Sequence, residues 1–326
     1  MAVYTEVSDE ALRAFLSEYA LGGLLAFRGI AEGVENSNYA LRTTAGDFIL
    51  TLYERRVDPA ELPWFLGLME HLAARGIACP TPIAGRDGAS LRLLCGRPAA
   101  ICTFLEGVWP RRVRPEHLAP LGGALAALHA AGEGFAATRR NALGPHGWPP
   151  LLERCRTRGD EVQAGLIAEL DGQLSAILAA WPVPGALPIG HIHADLFPDN
   201  AFFLPDAEGR PRLSGLIDFY FACTDLLAYD VAVCLNAWCF EPGGDFNVTK
   251  ARAMLGAYEA VRPLTGAERA ALPVLCRGAA IRFLLTRLYD WTHTPPDALV
   301  TRKDPLEYLR KLRFFAGCTT PGALGL

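Results

Sequence analysis

The apolar positions at the start of the chain first follow helical spacing and then strand-like spacing. Ser8 is a suitable N-cap for the helix, and Gly22 and Gly23 are expected to end it. One face of this helix carries Leu12, Phe15, Leu16 and Tyr19. Strand-like runs follow as LLAFRGI, SNYALRT and DFILTLY, and the turn TAG joins the last two.

A second helix and a hairpin are predicted before residue 107. Pro63 suits the first turn of this helix, and Gly76 closes it. Its apolar side carries Phe65, Met69 and Leu72. The runs SLRLL and PAAICTFLEG predict a hairpin that turns at Cys95 and Gly96. The first hundred residues therefore predict an antiparallel sheet with a helix packed on it.

Helical patterns dominate after Gly107. The first of them repeats Leu118, Leu121, Leu125 and Leu128. Further helices are predicted at about 160–180, 226–240, 248–262, 266–291 and 305–315. One β-like stretch interrupts them, ALPIGHIHADLFPDNAFFL followed by RLSGLIDFYF. The pattern predicts an α+β fold with a small antiparallel β-rich lobe, residues 1–104, and a large mainly helical lobe, residues 105–326.

Composition narrows the class of protein. The chain has 326 residues, 51% of them hydrophobic, which is enough for two lobes with substantial cores. The formal net charge of −4 predicts no binding to nucleic acid or to anionic membranes. The nine cysteines follow no metal-binding or disulfide pattern, and the first residues lack the basic region of a signal peptide, so we expect a cytoplasmic protein. The sequence leaves the oligomeric state open.

The loop HADLFPDN, from His193 to Asn200, concentrates chemically active side chains. Asp195 and Asn200 are four residues apart in it, and Asp218 ends the later apolar run LSGLID. Phosphoryl transfer uses such a set, because one Asp accepts the proton of the attacking hydroxyl while Asn and Asp oxygens hold Mg²⁺ on the nucleotide phosphates. We therefore predict Asp195 as the catalytic base and Asn200 and Asp218 as metal ligands. The alternative is a polar surface loop with Asn200 in a turn and Asp218 as a helix cap.

Two stretches upstream are candidates for binding ATP. AEGVENSNYAL lies between two predicted strands, where Gly33 permits a tight turn and backbone N–H groups near Ser37 and Asn38 can face phosphate. TFLEG, with Thr103 and Leu105, would present backbone groups to adenine. The alternatives are an ordinary hairpin turn and an ordinary linker.

Several motifs together resemble the aminoglycoside phosphotransferase and choline kinase group, which has a protein-kinase-like fold. They are HADLFPDN, LIDF, LAALH at Leu125–His129 and the aspartate of AYDVAV, Asp230. Within that group the chain most resembles the bacterial homoserine kinases, through EGVENSNYAL, FILTLYE, GLIDFYFACTD, CLNAWCFE and TPPDALV. The resemblance covers almost the whole chain. It implies phosphorylation of L-homoserine to O-phospho-L-homoserine with ATP and Mg²⁺, on the route to threonine.

The chain departs from the wider group at the phosphate-binding lysine. The strand FILTLYE places Thr51 where that Lys is expected, and the next helix offers Phe65 near the position of its glutamate partner. Joint loss of both partners is coherent, because an unpaired buried carboxylate would be costly. Candidates for neutralising the phosphates are Arg42, Arg55 and Arg56. The departure leaves a nucleotide-binding pseudokinase as an alternative, which the presence of all three predicted catalytic and metal-binding residues disfavours.

Four further residues receive structural interpretations. His193 resembles the loop histidine of the family, and we place it in the catalytic loop as a residue that orients it by hydrogen bonding. His129 lies on an apolar helix face and is interpreted as a core histidine with satisfied hydrogen bonds. Asp230 is interpreted as a structural cap or a loop anchor rather than a ligand. Trp238 is interpreted as a core residue, with a wall of the acceptor site as the alternative.

The acceptor pocket must bind an ammonium and a carboxylate. From Phe219 to the end there are 12 Lys and Arg against 10 Asp and Glu, which disfavours a polycationic acceptor. Arg282 is a candidate partner for the carboxylate, and Asp225 or Glu241 for the ammonium. The aromatic stretches FYF, AW and YDW keep a choline-type amino alcohol, or a sugar, as the alternative acceptor.

Overall fold

A computed structural model of the chain describes residues 4–30, 36–54, 58–294 and 302–326. The chain divides into two compact units. The first consists of Met1–Gly107 and Ser214–Tyr220, and the second of Val108–Leu213 and Phe221–Leu326. The proposed lobes, 1–104 and 105–326, remain a prediction. No helix in the described ranges is long and apolar enough to cross a membrane.

The first unit is built on an antiparallel sheet, as the sequence pattern predicted. Its elements are α1 (Asp9–Leu16), β1 (Leu24–Gly29), β2 (Ser37–Thr43), β3 (Gly46–Leu52), α2 (Leu62–Ala74), β4 (Leu91–Leu94) and β5 (Arg97–Thr103). The five strands follow the order β1-β2-β3-β5-β4, and each neighbouring pair is antiparallel. The predicted hairpin turn is confirmed: exposed Cys95 has a φ of 51° and Gly96 a φ of 73°.

The predicted end of the first helix is wrong. Helix α1 ends at Leu16, six residues before Gly22, because the Ser17 hydroxyl donates to the Ala14 carbonyl at 2.6 Å and the chain then turns. The apolar pattern continues beyond the helix because Tyr19 remains buried outside it, with 1% exposure. Gly22 instead provides the turn into the sheet, with a φ of 73°.

The core of the first unit lies between α1 and the sheet. Leu12, Leu50 and Leu52 are wholly buried there. The predicted N-cap is confirmed, since the Ser8 side chain accepts a hydrogen bond from the Ala11 N–H at 3.1 Å.

The second unit is mainly helical. Its elements are α3 (Leu118–Ala131), α4 (Trp148–Cys155), α5 (Leu166–Ala180), β6 (Ile189–Ile192), β7 (Ala201–Pro205), β8 (Pro211–Leu216), β9 (Cys223–Leu226), α6 (Leu227–Trp238), α7 (Val248–Val261), α8 (Gly266–His293) and α9 (Pro305–Gly317), with the end of β8 belonging to the first unit. Helix α4 was not predicted, because its first turn contains Pro149 and Pro150 and it spans only eight residues.

The short β-elements carry the loop that holds the candidate catalytic residues. Strands β6 and β9 pair antiparallel, with Ile192 opposite Cys223. Strand β6 ends directly before His193. Strand β9 is followed immediately by α6, which carries Asp230. This arrangement brings the base of the loop to the first turn of α6.

Candidate active site

Asp230 holds the start of the loop. Its carboxylate accepts hydrogen bonds from the backbone N–H groups of His193 at 2.7 Å and Ala194 at 2.8 Å. Ala194 has a φ of 61°, a left-handed conformation that costs a non-glycine residue about 1–3 kcal/mol. The two bonds stabilise this conformation, so the interpretation of Asp230 as a loop anchor is confirmed.

Asp230 is wholly buried, and its charge is compensated locally. Burial acts to raise the pKa of Asp230, but hydrogen bonding and the charge environment of His129 and His193 outweigh it, so that the pKa lies below its usual value. The ring of His129 lies 3.2 Å from the carboxylate through Nε2. A buried carboxylate whose oxygens all receive hydrogen bonds is tolerated in a core, whereas one without such partners is costly.

A buried chain of hydrogen bonds continues from His129. Its Nδ1 lies 2.8 Å from the Tyr258 hydroxyl, whose oxygen accepts from Arg262 Nη1 at 3.0 Å, and Arg262 pairs with Glu268 at 2.8 Å. With the ring proton on Nε2, each group in the chain has a matching donor or acceptor. The interpretation of His129 as a core histidine with satisfied hydrogen bonds is confirmed.

Side chains of helices α6 and α8 hold residues 196 and 197 of the loop in place. The Trp238 indole N–H donates to the Leu196 carbonyl at 2.8 Å, and both residues are wholly buried. The Phe197 ring packs edge-on against Phe283, with centroids 4.8 Å apart. Trp238 is thus a core residue, as predicted, and it also fixes the backbone beside the candidate base.

Asp195 lies between the residues that these contacts hold in place, and its side chain is partly accessible to solvent. Its side chain is 20% exposed, and Oδ1 accepts from Arg282 Nη1 at 3.2 Å. Its backbone N–H donates to His193 Nδ1 at 3.3 Å, so the wholly buried His193 orients the loop by hydrogen bonding. The assignment of Asp195 as a base remains a prediction.

Asn200 is oriented by the same loop. Its Nδ2 donates to the Asp195 backbone carbonyl at 2.8 Å, which fixes the amide and leaves Oδ1 as its acceptor. Asp218, in the first unit, is exposed and has a φ of 63°. An amide oxygen and a carboxylate fit the hard Mg²⁺ ion. In the described ranges, no group of three or more His, Cys, Asp or Glu could hold a metal. The assignment of Asn200 and Asp218 as metal ligands remains a prediction.

The predicted phosphate-binding stretch is only partly described. Gly33, Arg55 and Arg56 lie outside the described residues. The Ser37 hydroxyl accepts from the backbone N–H groups of Tyr4 and Thr5 and donates to Glu54 at 2.8 Å. This side chain is therefore engaged within the unit.

Thr51 and Tyr220 are engaged by polar and aromatic neighbours within the first unit. The Thr51 hydroxyl donates to Asn38 Oδ1 at 2.8 Å. The Tyr220 hydroxyl donates to that of Tyr53 at 3.2 Å, and the Tyr220 ring packs against Phe65 with centroids 5.8 Å apart.

The candidate adenine-binding residues follow β5. The Thr103 hydroxyl accepts from the Thr81 N–H at 2.9 Å, and its own N–H donates to the Thr81 carbonyl at 2.9 Å. Leu105 lies in a segment without regular secondary structure and packs against Gly215, where an added Cβ would lie 2.8 Å from Leu105 Cδ1. Gly215 thus makes room for the Leu105 side chain.

The two carboxylates that are candidates for binding the acceptor's ammonium differ in the partners they already have. The Asp225 carboxylate accepts from Asn141 Nδ2 and from the Leu226 N–H, each at 2.7 Å, and burial raises the pKa of Asp225. Glu241 pairs with the buried Lys250 at 2.7 Å, so its carboxylate already has a cationic partner. Asp225 is the stronger candidate because it is a partly buried carboxylate whose hydrogen bonds, among the described residues, come from neutral donors.

Comparisons with known proteins identify the family and the fold of the chain. Residues 26–264 match the model of the phosphotransferase enzyme family. The chain is similar to a homoserine kinase of Acidiphilium cryptum, with 70% identity over 314 residues and 96% of each chain covered. It is 66% identical to a homoserine kinase of Gluconacetobacter diazotrophicus over the full length of both. A solved aminoglycoside phosphotransferase from Alicyclobacillus acidocaldarius aligns with a TM-score of 0.67 and 18% identity over 96% of this chain and 93% of that one. The predicted protein-kinase-like α+β fold is confirmed.

Proposed function

Since the chain belongs to the phosphotransferase enzyme family and, within it, to the homoserine kinases, we propose that it phosphorylates the hydroxyl of L-homoserine with ATP. The products are O-phospho-L-homoserine, an intermediate of threonine biosynthesis, and ADP. The full-length identity with homoserine kinases carries this proposal. Reduced, mostly buried thiols and the use of ATP favour the cytoplasm as the place of reaction.

In the proposed reaction, Asp195 accepts the proton of the homoserine hydroxyl as it attacks the γ-phosphorus. Arg282 occupies Oδ1 of the carboxylate, which leaves Oδ2 to face the hydroxyl. Asn200 and Asp218 would hold Mg²⁺, which when bound supplies charge neutralisation on the phosphates. Most of the catalytic effect then comes from positioning, which the anchored loop provides.

ATP is proposed to contact the first unit through backbone groups. Thr103 and Leu105 lie where the chain leaves β5. Because the Thr103 N–H is bonded to Thr81, the Thr103 carbonyl and the backbone of Leu105 are the groups proposed to bond the adenine edge. Gly33, Ser37 and Asn38 would supply N–H groups to the phosphates. Arg42 is a weaker candidate for charge neutralisation, because it pairs with Asp47 at 3.0 Å and is largely exposed.

Asp225 is proposed to bind the ammonium of the acceptor. A partly buried carboxylate whose hydrogen bonds come from neutral donors gains an ion pair when an ammonium enters beside it, which favours a cationic acceptor at this point. The raised pKa of Asp225 would fall on binding, because the ammonium stabilises its charged form.

A choline-type acceptor is disfavoured by the contacts of Phe219, Tyr220 and Trp238. Phe219 and Trp238 are wholly buried in the core, and Tyr220 is engaged with Tyr53 and Phe65. These rings belong to packing contacts rather than to an open box for a quaternary ammonium.

The decisive experiment measures Mg²⁺-dependent ADP release with each acceptor at equal concentration, with the product identified by mass. The panel contains L-homoserine, choline, ethanolamine, an aminoglycoside and a hexose. We expect L-homoserine to give the highest kcat/KM. If another acceptor exceeds it, the substrate assignment is wrong, and absence of any turnover would favour a pseudokinase.

A further inference from the structure

Arg282 makes contacts that point away from its predicted role as a partner for the substrate carboxylate. We propose that Arg282 is a positioning residue, which fixes the carboxylate of Asp195 in the orientation needed to accept the hydroxyl proton. This inference rests on the proposed function, because it assigns Asp195 the part of the base.

One nitrogen of the Arg282 guanidinium joins two parts of the loop. Nη1 donates to the backbone carbonyl of Ala194 and to Oδ1 of Asp195, each at 3.2 Å. Ala194 is the residue with a φ of 61°, so a single donor holds both the unusual backbone and the carboxylate that follows it. The Asp195 side chain cannot rotate without losing this contact.

The guanidinium itself is held rigidly. Its side chain is 5% exposed, and its central carbon lies 3.8 Å from the ring centroid of Phe283 and 5.3 Å from that of Phe221. Stacking on aromatic rings fixes the guanidinium plane. Arg282 also belongs to the 28-residue helix α8, a long packed element from which to place a side chain.

The two carboxylate oxygens of Asp195 have different roles in this arrangement. Oδ1 is bonded to Arg282, and Oδ2 remains to receive the substrate proton. Without the guanidinium, a carboxylate that is 20% exposed can turn toward solvent. Misplacement of a catalytic group by about 1 Å can cost on the order of a hundredfold in rate.

The competing role predicts a different pattern of losses. A residue that binds the acceptor's carboxylate matters only for acceptors that have one, and its loss raises KM for them. A residue that positions the base matters for every acceptor, including water in the slow hydrolysis of ATP without acceptor. Water and 3-aminopropan-1-ol, which is homoserine without its carboxylate, therefore separate the two roles.

The experiment uses Arg282→Gln and Arg282→Lys in the full chain, with Arg287→Gln as a matched control. Arg287 lies on the same helix, stacks on Tyr308 and pairs with Glu307 at 2.6 Å, so its loss also removes a stacked ion pair. The measurements are kcat and KM for L-homoserine and 3-aminopropan-1-ol, the rate of acceptor-free ATP hydrolysis, MgATP affinity and Tm.

We expect Arg282→Gln to lower kcat about 10–100-fold with both acceptors and to lower acceptor-free hydrolysis by a similar factor. KM for L-homoserine should change by less than about threefold. Arg282→Lys should recover part of the rate, since it keeps the charge but not the planar fork. Arg287→Gln should leave kcat near the wild-type value.

A loss confined to L-homoserine, with a raised KM and normal hydrolysis, overturns the inference in favour of carboxylate binding. An unchanged kcat overturns it as well. If Arg282→Gln does not fold, as judged by Tm and MgATP binding, the ratios for Arg282→Lys decide. A wild-type protein inactive toward L-homoserine would refute the proposed function, while the hydrolysis ratio would still test the inference.

Discussion

Replacing Asp230 by Asn tests the anchor of the catalytic loop. The amide retains one acceptor oxygen but turns an NH₂ group toward a site where the backbone N–H groups of His193 and Ala194 both donate. One hydrogen bond to a charged acceptor is therefore lost, and one buried N–H faces another donor. Bonds to charged groups contribute about 1.5–3 kcal/mol, and an unsatisfied buried donor costs about 1–3 kcal/mol, so the loss is about 2.5–6 kcal/mol.

The assay combines thermal unfolding with steady-state kinetics. At about 2–4 °C per kcal/mol, Tm should fall by roughly 5–24 °C. Release of the left-handed Ala194 should shift Asp195 and reduce kcat by about a hundredfold, with smaller change in KM for ATP. His129→Gln, which leaves the two backbone bonds in place, should have the smaller effect on kcat.

Asn236→Ala is the matched control. Asn236 lies on the same helix as Asp230 and is equally buried, but its Nδ2 donates to the carbonyls of Ala232 and Cys276 rather than to the loop. It should lower Tm and leave kcat within about twofold of the wild-type value, because its effect is on stability alone. If Asp230→Asn lowers kcat no more than Asn236→Ala does, the loop does not depend on this carboxylate and the reasoning fails.

The pH dependence of stability gives a second test of the same residue. Because the pKa of Asp230 is lowered on folding, ionised Asp230 stabilises the protein fully above its unfolded pKa near 3.8. That contribution is lost as the pH falls toward the lower folded value. The Tm difference between wild type and Asp230→Asn should therefore be largest near neutral pH and narrow below about pH 4.

Asp195→Asn should lower kcat by about 10²–10⁴ while ATP still binds, and near-normal kcat would remove it from the role of base. Asp218→Ala should abolish activity and weaken Mg²⁺-dependent nucleotide binding more than metal-free binding; equal Mg²⁺ dependence in variant and wild type, measured by titration calorimetry, would contradict this. Thr51→Ala should change KM for ATP only slightly, because its hydroxyl is bonded to Asn38, and a loss beyond about a thousandfold would place Thr51 on the phosphates. 4-Hydroxybutyrate, which lacks the ammonium, should be used at least about tenfold less efficiently than L-homoserine in kcat/KM, and equal use would refute an ammonium site.

Much of the secondary structure was predictable because it depends on local spacing. The strands SNYALRT and DFILTLY and the helix from residue 266 have strong periodicity, and each appears within a few residues of its predicted bounds. Helix α4 and the early end of α1 were missed because they depend on prolines in a first turn and on one Ser17 hydroxyl bond. Periodicity carries no signal for either feature.

The candidate site was predictable where its residues share one motif and unpredictable where they do not. Asp195 and Asn200 are joined by a hydrogen bond inside a single loop, so their spacing along the chain reflects their geometry. Arg282 contacts Asp195 across 87 residues of sequence, and only folding shows the pair. The left-handed backbone of Ala194 and Asp218 was also invisible, because neither residue is the glycine that usually marks such a conformation.

The cysteines have a practical consequence for following this protein in solution. Eight of the nine are buried, and burial raises the pKa of Cys79 and Cys102, for example, to about 12, which suppresses the thiolates that react with electrophiles. Cys95 alone is exposed, at the tip of the β4–β5 hairpin. A maleimide dye should therefore label the native chain once, at this hairpin, without first removing any cysteine.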